Sequence, residues 1–284
     1  MTALKAILLG LIQGIAEFLP ISSSGHLELA KNLLGLNEVP VLFDVILHIA
    51  TLFAVVVVLR KRIAAIIVAL WNFLFVKKEK NLKGLTKTQK KKDEEERENL
   101  AFVLPLLIAT AITAVLGYSI QKFLLEKFVW LNGTKIVAVN LLITAGILGL
   151  TTLAKPGTRG PREIGAGRAA FIGLAQGIGV FSGISRSGIT ISAGLFSGLT
   201  RETAGEMSFL LSIPAILGAF ILTVKDAAAV ISSVSYGQLA LAFLTAFFAG
   251  MASLKILLKI IKNGKLFWFA PYLLIVGLLG LLLA

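Results

Sequence analysis

Six long apolar runs mark the chain, at about 42–59, 100–116, 136–153, 204–224, 239–258 and 266–284. Each approaches the roughly 20 residues that an α-helix needs to cross hydrocarbon, so the pattern predicts six membrane spans. Two further apolar stretches, 3–34 and 169–199, are interrupted halfway by segments rich in Ser and Gly. Such segments interrupt a membrane helix, so both stretches are expected to form re-entrant helical hairpins.

The two interruptions are copies of each other. GLIQGIAEFLPISSSGHL, from Gly10, aligns without a gap on GLAQGIGVFSGISRSGIT, from Gly173, with about ten of eighteen positions identical. The offset of 163 residues is near half the chain length of 284, dividing one membrane domain into repeats of about 1–160 and 161–284. A cleaved leader would hardly be duplicated in mid-chain, which argues against residues 1–20 being a signal peptide. Each repeat reads as a hairpin followed by three spans. Three crossings start the second repeat on the opposite side, so the expected fold is an all-α membrane protein of two inverted-topology repeats.

Composition agrees: hydrophobic residues make up 57% and mean hydropathy is +0.90, which excludes an ordinary soluble domain. The absence of cysteine removes disulfides, Cys metal sites and thiol nucleophiles. Positive charge is uneven. On the six-span topology about twenty-one Lys and Arg, in 60–97, 155–168, Arg201 and 255–265, share one side. About six, Lys5, Lys31, Lys122, Lys127, Lys135 and Lys225, lie on the other. Basic loops stay in the cytoplasm, so both termini are expected outside the plasma membrane. The run 77–98, with KTQKKKDEEERE, reads as a solvated cytoplasmic loop against anionic lipid, not as a nucleic-acid-binding arm.

Ionisable groups at membrane depth cost on the order of 3 kcal/mol each, which makes Glu17, His26 and Arg186 the leading functional candidates. Hairpins entering from opposite faces would bring their tips together near the midplane. Gln13 and Glu17, four residues apart, share a helix face. Ser22, Ser23, Ser24 and Gly25 in the first tip correspond to Ser185, Arg186, Ser187 and Gly188 in the second, with Thr190 close by. The serines can cap the following half-helices, and the glycines let backbone amides approach an anion at a positive helix end. Arg186 adds a planar donor fork suited to phosphate. His26 can act as base or nucleophile, or activate a serine hydroxyl; Ser23, the repeat equivalent of Arg186, is the favoured nucleophile. Glu17 can hold a divalent cation or orient His26. Small residues also serve close helix packing, and His48, Asp44 and Glu206 read as structural groups.

With QGIAEFLPISSSGH and SGISRSGIT in view, the chain resembles the undecaprenyl-diphosphatase family. Its first motif is Glu or Gln, three residues, then Glu-FLP, a serine cluster and Gly-His; its second is PGxSRSxxT. The resemblance covers essentially the whole chain. It implies a site made of Gln13, Glu17, Ser22, Ser23, Ser24, His26, Ser185 and Arg186, with Thr190 completing the second motif. It further implies removal of the terminal phosphate from a C55 lipid diphosphate, giving a monophosphate carrier for cell-envelope synthesis. Dependence on a divalent cation (Mg2+ or Ca2+), a polyprenyl diphosphate substrate, a site that opens to the outside and a homodimer come with it. Two positions depart from the pattern: Gln13 stands where many members carry Glu, and Ser182 replaces Pro.

A polyprenyl-phosphate transporter or flippase is the main rival, because inverted repeats with broken helices are also a transporter pattern. A carrier needs Arg186 and the helix ends, but has less use for His26 beside a serine cluster and Glu17. A purely structural scaffold would leave the insertion cost of all three charged groups without return.

Overall fold

Pro20 and the glycine-rich turns limit how far each apolar run can continue as helix. The computed structural model describes residues 1–36, 39, 41–76, 86–227 and 234–283, which are mainly helical. In chain order the helices are α1 (Ala3–Phe18), α2 (Ser23–Leu33), α3 (Val41–Val58), α4 (Arg60–Phe75), α5 (Lys87–Leu100) and α6 (Val103–Ile120). They continue as α7 (Thr134–Leu150), α8 (Gly165–Ile178), α9 (Arg186–Phe196), α10 (Arg201–Ala227), α11 (Tyr236–Lys262) and α12 (Phe269–Leu283).

Each of the six predicted apolar runs falls on a helix. Among the described residues, Lys87–Leu125, Thr134–Leu153, Arg201–Leu222 and Tyr236–Lys262 hold helices long and apolar enough to cross a membrane; Phe43–Val58 and Leu266–Leu282 are shorter apolar helices. Only 28–44% of the four long apolar windows is buried, so their outer faces offer apolar surface to lipid. This is a multi-pass membrane protein. Residue 284 of the last predicted run lies outside the described residues.

The segment expected to be a loop at 77–98 needs correction. Residues 77–85 lie outside the described residues, but Lys87–Leu100 is helical and begins at a capping box, in which Thr86 and Gln89 satisfy each other's backbone N–H groups. Its polar sequence hid it from a search for apolar runs. Helix α4 was also unforeseen: its apolar stretch is too short for a span and starts at a basic cluster.

Two close helix packings fix the hairpins. α1 packs on α11, and α8 packs on α6. A Cβ added to Gly10 would lie 2.5 Å from the Ala242 carbonyl oxygen, and one on Gly14 equally close to that of Ala246. On α8, a Cβ on Gly173 would lie 2.7 Å from the Ala109 carbonyl oxygen, and one on Gly177 would lie 2.8 Å from the Leu116 side chain. Two small residues one turn apart let backbones approach closely in a bilayer, which explains the glycines of the repeat.

The bases of the hairpins are closed by matching bonds. Lys5 Nζ donates to the Leu34 carbonyl at 2.7 Å, joining the start of α1 to the end of α2. Arg168 Nε donates to the Ser197 carbonyl at 3.1 Å, joining the start of α8 to the end of α9. Donor and acceptor in the second pair are both 163 positions beyond those in the first. Each cation also meets the negative end of a helix.

Candidate active site

Pro20 follows α1, and α2 restarts only when Ser22 takes φ 70 and its Oγ accepts from Gly25 N–H at 3.3 Å. Ser185 caps α9 likewise, accepting from Gly188 N–H at 3.1 Å. The hydroxyl pairs repeat too: Ser22 to Ser24 at 3.4 Å, Ser185 to Ser187 at 3.3 Å. The tips abut. A Cβ on Gly25 would sit 3.3 Å from Gly183 Cα, and one on Gly188 would sit 3.2 Å from Pro20 Cβ, two contacts that interchange under the repeat alignment.

Glu17 sits where the tips meet. One carboxylate oxygen pairs with the Arg186 guanidinium. The other accepts from Ser23 Oγ at 2.6 Å and from Gln13 Nε2 at 3.0 Å. His48 Nε2 lies 3.8 Å from that same oxygen, while its Nδ1 faces the Asp44 carbonyl at 2.8 Å. The Glu17 side chain is 2% exposed and that of Arg186 22%, so the carboxylate is sealed in while the cation keeps an approach. A charge buried this deeply is tolerable only when it is paired and hydrogen-bonded, and here several donors converge on it.

His26 stands in a different relation from the one expected. Its Nδ1 faces the Ser22 carbonyl at 2.9 Å, and its Nε2 faces the Tyr272 hydroxyl at 2.8 Å, with the two rings stacked at 5.6 Å between centroids. A carbonyl only accepts, so in the neutral ring Nδ1 carries the proton and Nε2 accepts from tyrosine. Ser23 therefore faces Glu17 and not His26, which corrects the expected serine–histidine contact: at the fourth residue of α2, the imidazole is turned toward α12. Thr190, also expected at the site, donates to the Arg186 carbonyl at 2.8 Å and meets Ser208 Oγ at 2.6 Å, tying the first turn of α9 to α10.

The second loop is braced from α7. Asn140 Nδ2 donates to the Ser182 carbonyl at 2.7 Å, and Thr144 Oγ1 donates to the Gly183 carbonyl at 3.1 Å and accepts from Ser185 N–H at 3.2 Å. Gly183 has φ 91, and a Cβ there would overlap the Val137 carbonyl, so this position admits glycine only. These side-chain bonds hold the loop where a proline is absent. Asn140, Thr144 and Tyr272 were missed from sequence, because they belong to spans with no motif. His48, read from sequence as a structural group in mid-span, stands beside the Glu17 carboxylate.

No group of three His, Cys, Asp or Glu that could hold a metal gathers among the described residues. The available oxygen donors are the Glu17 carboxylate and Gln13 Oε1, which is buried without a hydrogen-bond partner. That pair suits a hard cation bound mainly through substrate oxygens, not a cage built by protein alone.

Apolar helices around a buried carboxylate–arginine pair at two capped half-helices define a helical membrane protein with a polar interior site. The chain belongs to the family of the bacitracin resistance protein BacA, whose model matches residues 6–279. It is 44% identical to the undecaprenyl-diphosphatase of Treponema denticola, over 98% of this chain and 96% of that one. Identity is 41% to the enzyme of that name from Desulforapulum autotrophicum, over 98% and 97%. With the one from Methanosphaera stadtmanae it is 38%, over 99% and 98%.

Proposed function

We propose that this chain hydrolyses a polyprenyl diphosphate, undecaprenyl diphosphate by the relatives' name, to the monophosphate and inorganic phosphate. One observation carries the proposal: Glu17 divides its two oxygens between the hydroxyl of Ser23 and the guanidinium of Arg186. The terminal phosphate replaces Glu17 on the arginine fork and takes the free amides at the starts of α2 and α9. Glu17 then accepts the Ser23 proton as Oγ attacks the terminal phosphorus. The bond from that phosphorus to the bridging oxygen breaks, and the departing monophosphate receives the proton from Glu17. Water gives one proton to His26 Nε2 as it attacks the phosphorus; the bond from phosphorus to Oγ breaks, phosphate leaves, and the proton passes from His26 through solvent to Ser23 Oγ, which restores the hydroxyl.

Glu17 and Gln13 would hold Mg2+ or Ca2+ beside the diphosphate, where the ion would neutralise charge on the phosphate oxygens. The transporter alternative finds no use for a hydroxyl bonded to a buried carboxylate, and it is not favoured.

Two inverted repeats, 1–160 and 161–284, with re-entrant hairpins opening outward across the plasma membrane, are part of the same proposal. It is supported by the paired bonds of Lys5 and Arg168 and by the interchanged tip contacts. The homodimer follows from the resemblance alone, and cross-linking in membranes tests it. Phosphate release from undecaprenyl diphosphate by the purified protein tests the activity; a pure, folded protein that binds this lipid and releases none would overturn it.

A further inference from the structure

At the end of the molecule where α7, α9 and α11 finish and α10 and α12 begin, a second polar feature stands apart from Glu17. Thr151, Lys155, Gly157, Leu195, Arg201 and Gly264 line a partly open cavity of about 30 Å³. Arg186 and Leu195 stand nine residues apart on α9, so roughly 14 Å of helix separates this cavity from the site at the tips.

Arg201 is the first residue of α10, at the positive end of the helix, where a cation is unfavourable without an anion beside it. No protein group supplies one: among the described residues neither Arg201 nor Lys155 has a hydrogen bond or ion pair through its side chain. Several other cations at this end have a carboxylate partner. Arg62 pairs with Glu206 at 2.9 Å, Arg162 with Glu94 at 3.5 Å, and Lys262 takes Glu202, the carboxylate next to Arg201 in sequence, at 2.9 Å.

The backbone is shaped around the free guanidinium. Gly264 has φ 69, and any Cβ there would overlap the Arg201 nitrogens. At the next residue, Lys265 Nζ lies 4.2 Å over the ring of Trp268, which is 56% exposed. An exposed tryptophan with a lysine at the start of an apolar helix marks head-group depth.

We propose that Arg201 and Lys155 bind a phosphate-bearing anion at this cavity, either the head group of an anionic phospholipid or free inorganic phosphate. The cavity has room for one phosphoryl oxygen on its floor. The guanidinium fork and the ammonium meet the others at the mouth, where a lipid's acyl chains remain among the apolar faces of the helices. Basic pockets between membrane helices take anionic head groups in this manner. The proposal is independent of hydrolysis at Glu17.

The experiment compares wild type, Arg201→Gln and Lys155→Gln, each shown folded by its thermal melt in detergent. Native mass spectrometry reads retention of phosphatidylglycerol against phosphatidylcholine, and calorimetry reads binding of inorganic phosphate. Wild type should prefer the anionic lipid, and each substitution should weaken retention about fivefold, the worth of one basic residue near a membrane surface. Phosphate binding lost in the variants, with no lipid preference in wild type, assigns the same pair to the free ion. Should Arg201→Gln fail to fold, Lys155→Gln carries the test, since its side chain is exposed in a loop. Variants that retain both ligands as wild type does, or a wild type that binds neither, overturn the proposal.

Discussion

Ser23 and Arg186 occupy the same place in their hairpins, the first residue of the second helix, and they meet on opposite oxygens of Glu17. Their equivalence under the 163-residue offset makes the pocket a junction between two copies of one motif. The copies have diverged in charge: Val180 stands where the first has Glu17, and Ile189 where it has His26. One tip supplies the carboxylate and hydroxyl, the other the fixed cation. Two similar half-helix ends thus make one asymmetric site.

Arg186→Lys should lose phosphate release by on the order of 10²-fold. Lysine keeps the charge but has no planar fork to span two phosphate oxygens. Turnover and substrate affinity are measured together; values equal to wild type would remove Arg186 from phosphate binding.

Gly173→Val should destabilise the fold by about 1–3 kcal/mol, because the added side chain meets the backbone of Ala109 and not a movable group. Gly146→Ala on α7 is the contrast: nothing lies within 4 Å of its added Cβ, so it should be neutral or mildly stabilising. Thermal melts of the two variants should separate in that order.

Much of the site was legible because the rare polar residues of an apolar chain stand out, and because duplication placed Ser23 and Arg186 in register. Gln13, Glu17, Ser23 and Arg186 are brought into one cluster as their motifs implied. What stayed hidden depends on tertiary approach. Tyr272 reaches His26 across 246 residues, and Asn140 reaches Ser182 across 42, with no local spacing to announce either. Helix α5 escaped for a different reason: its face is set by charge and capping, while the apolar periodicity that reveals spans is missing from it.

Labelling should report the topology. A Lys87→Cys variant in intact cells should resist a membrane-impermeant thiol reagent, and Lys127→Cys should react. These positions lie at opposite ends of the helical run Lys87–Leu125 or just beyond it. Reaction at residue 87 from outside would reverse the orientation inferred from the basic residues.

The division of labour between Ser23, His26 and Tyr272 gives the most discriminating outcome. Ser23 Oγ is held by Glu17 at 2.6 Å, whereas His26 is held by Ser22 and Tyr272, so attack and the later hydrolysis should fail separately. Ser23→Ala should abolish most phosphate release while lipid diphosphate still binds through Arg186 and the helix ends. His26→Ala should release monophosphate once and then stall, leaving phosphate on Ser23 as a mass adduct on the intact protein. Tyr272→Phe keeps the stacked ring and removes only the hydroxyl donor, so its loss should stay within about tenfold, the scale of one hydrogen bond. A fully active Ser23→Ala protein would pass the nucleophile role to water or to His26. An adduct on His26 in place of Ser23 would choose between those two.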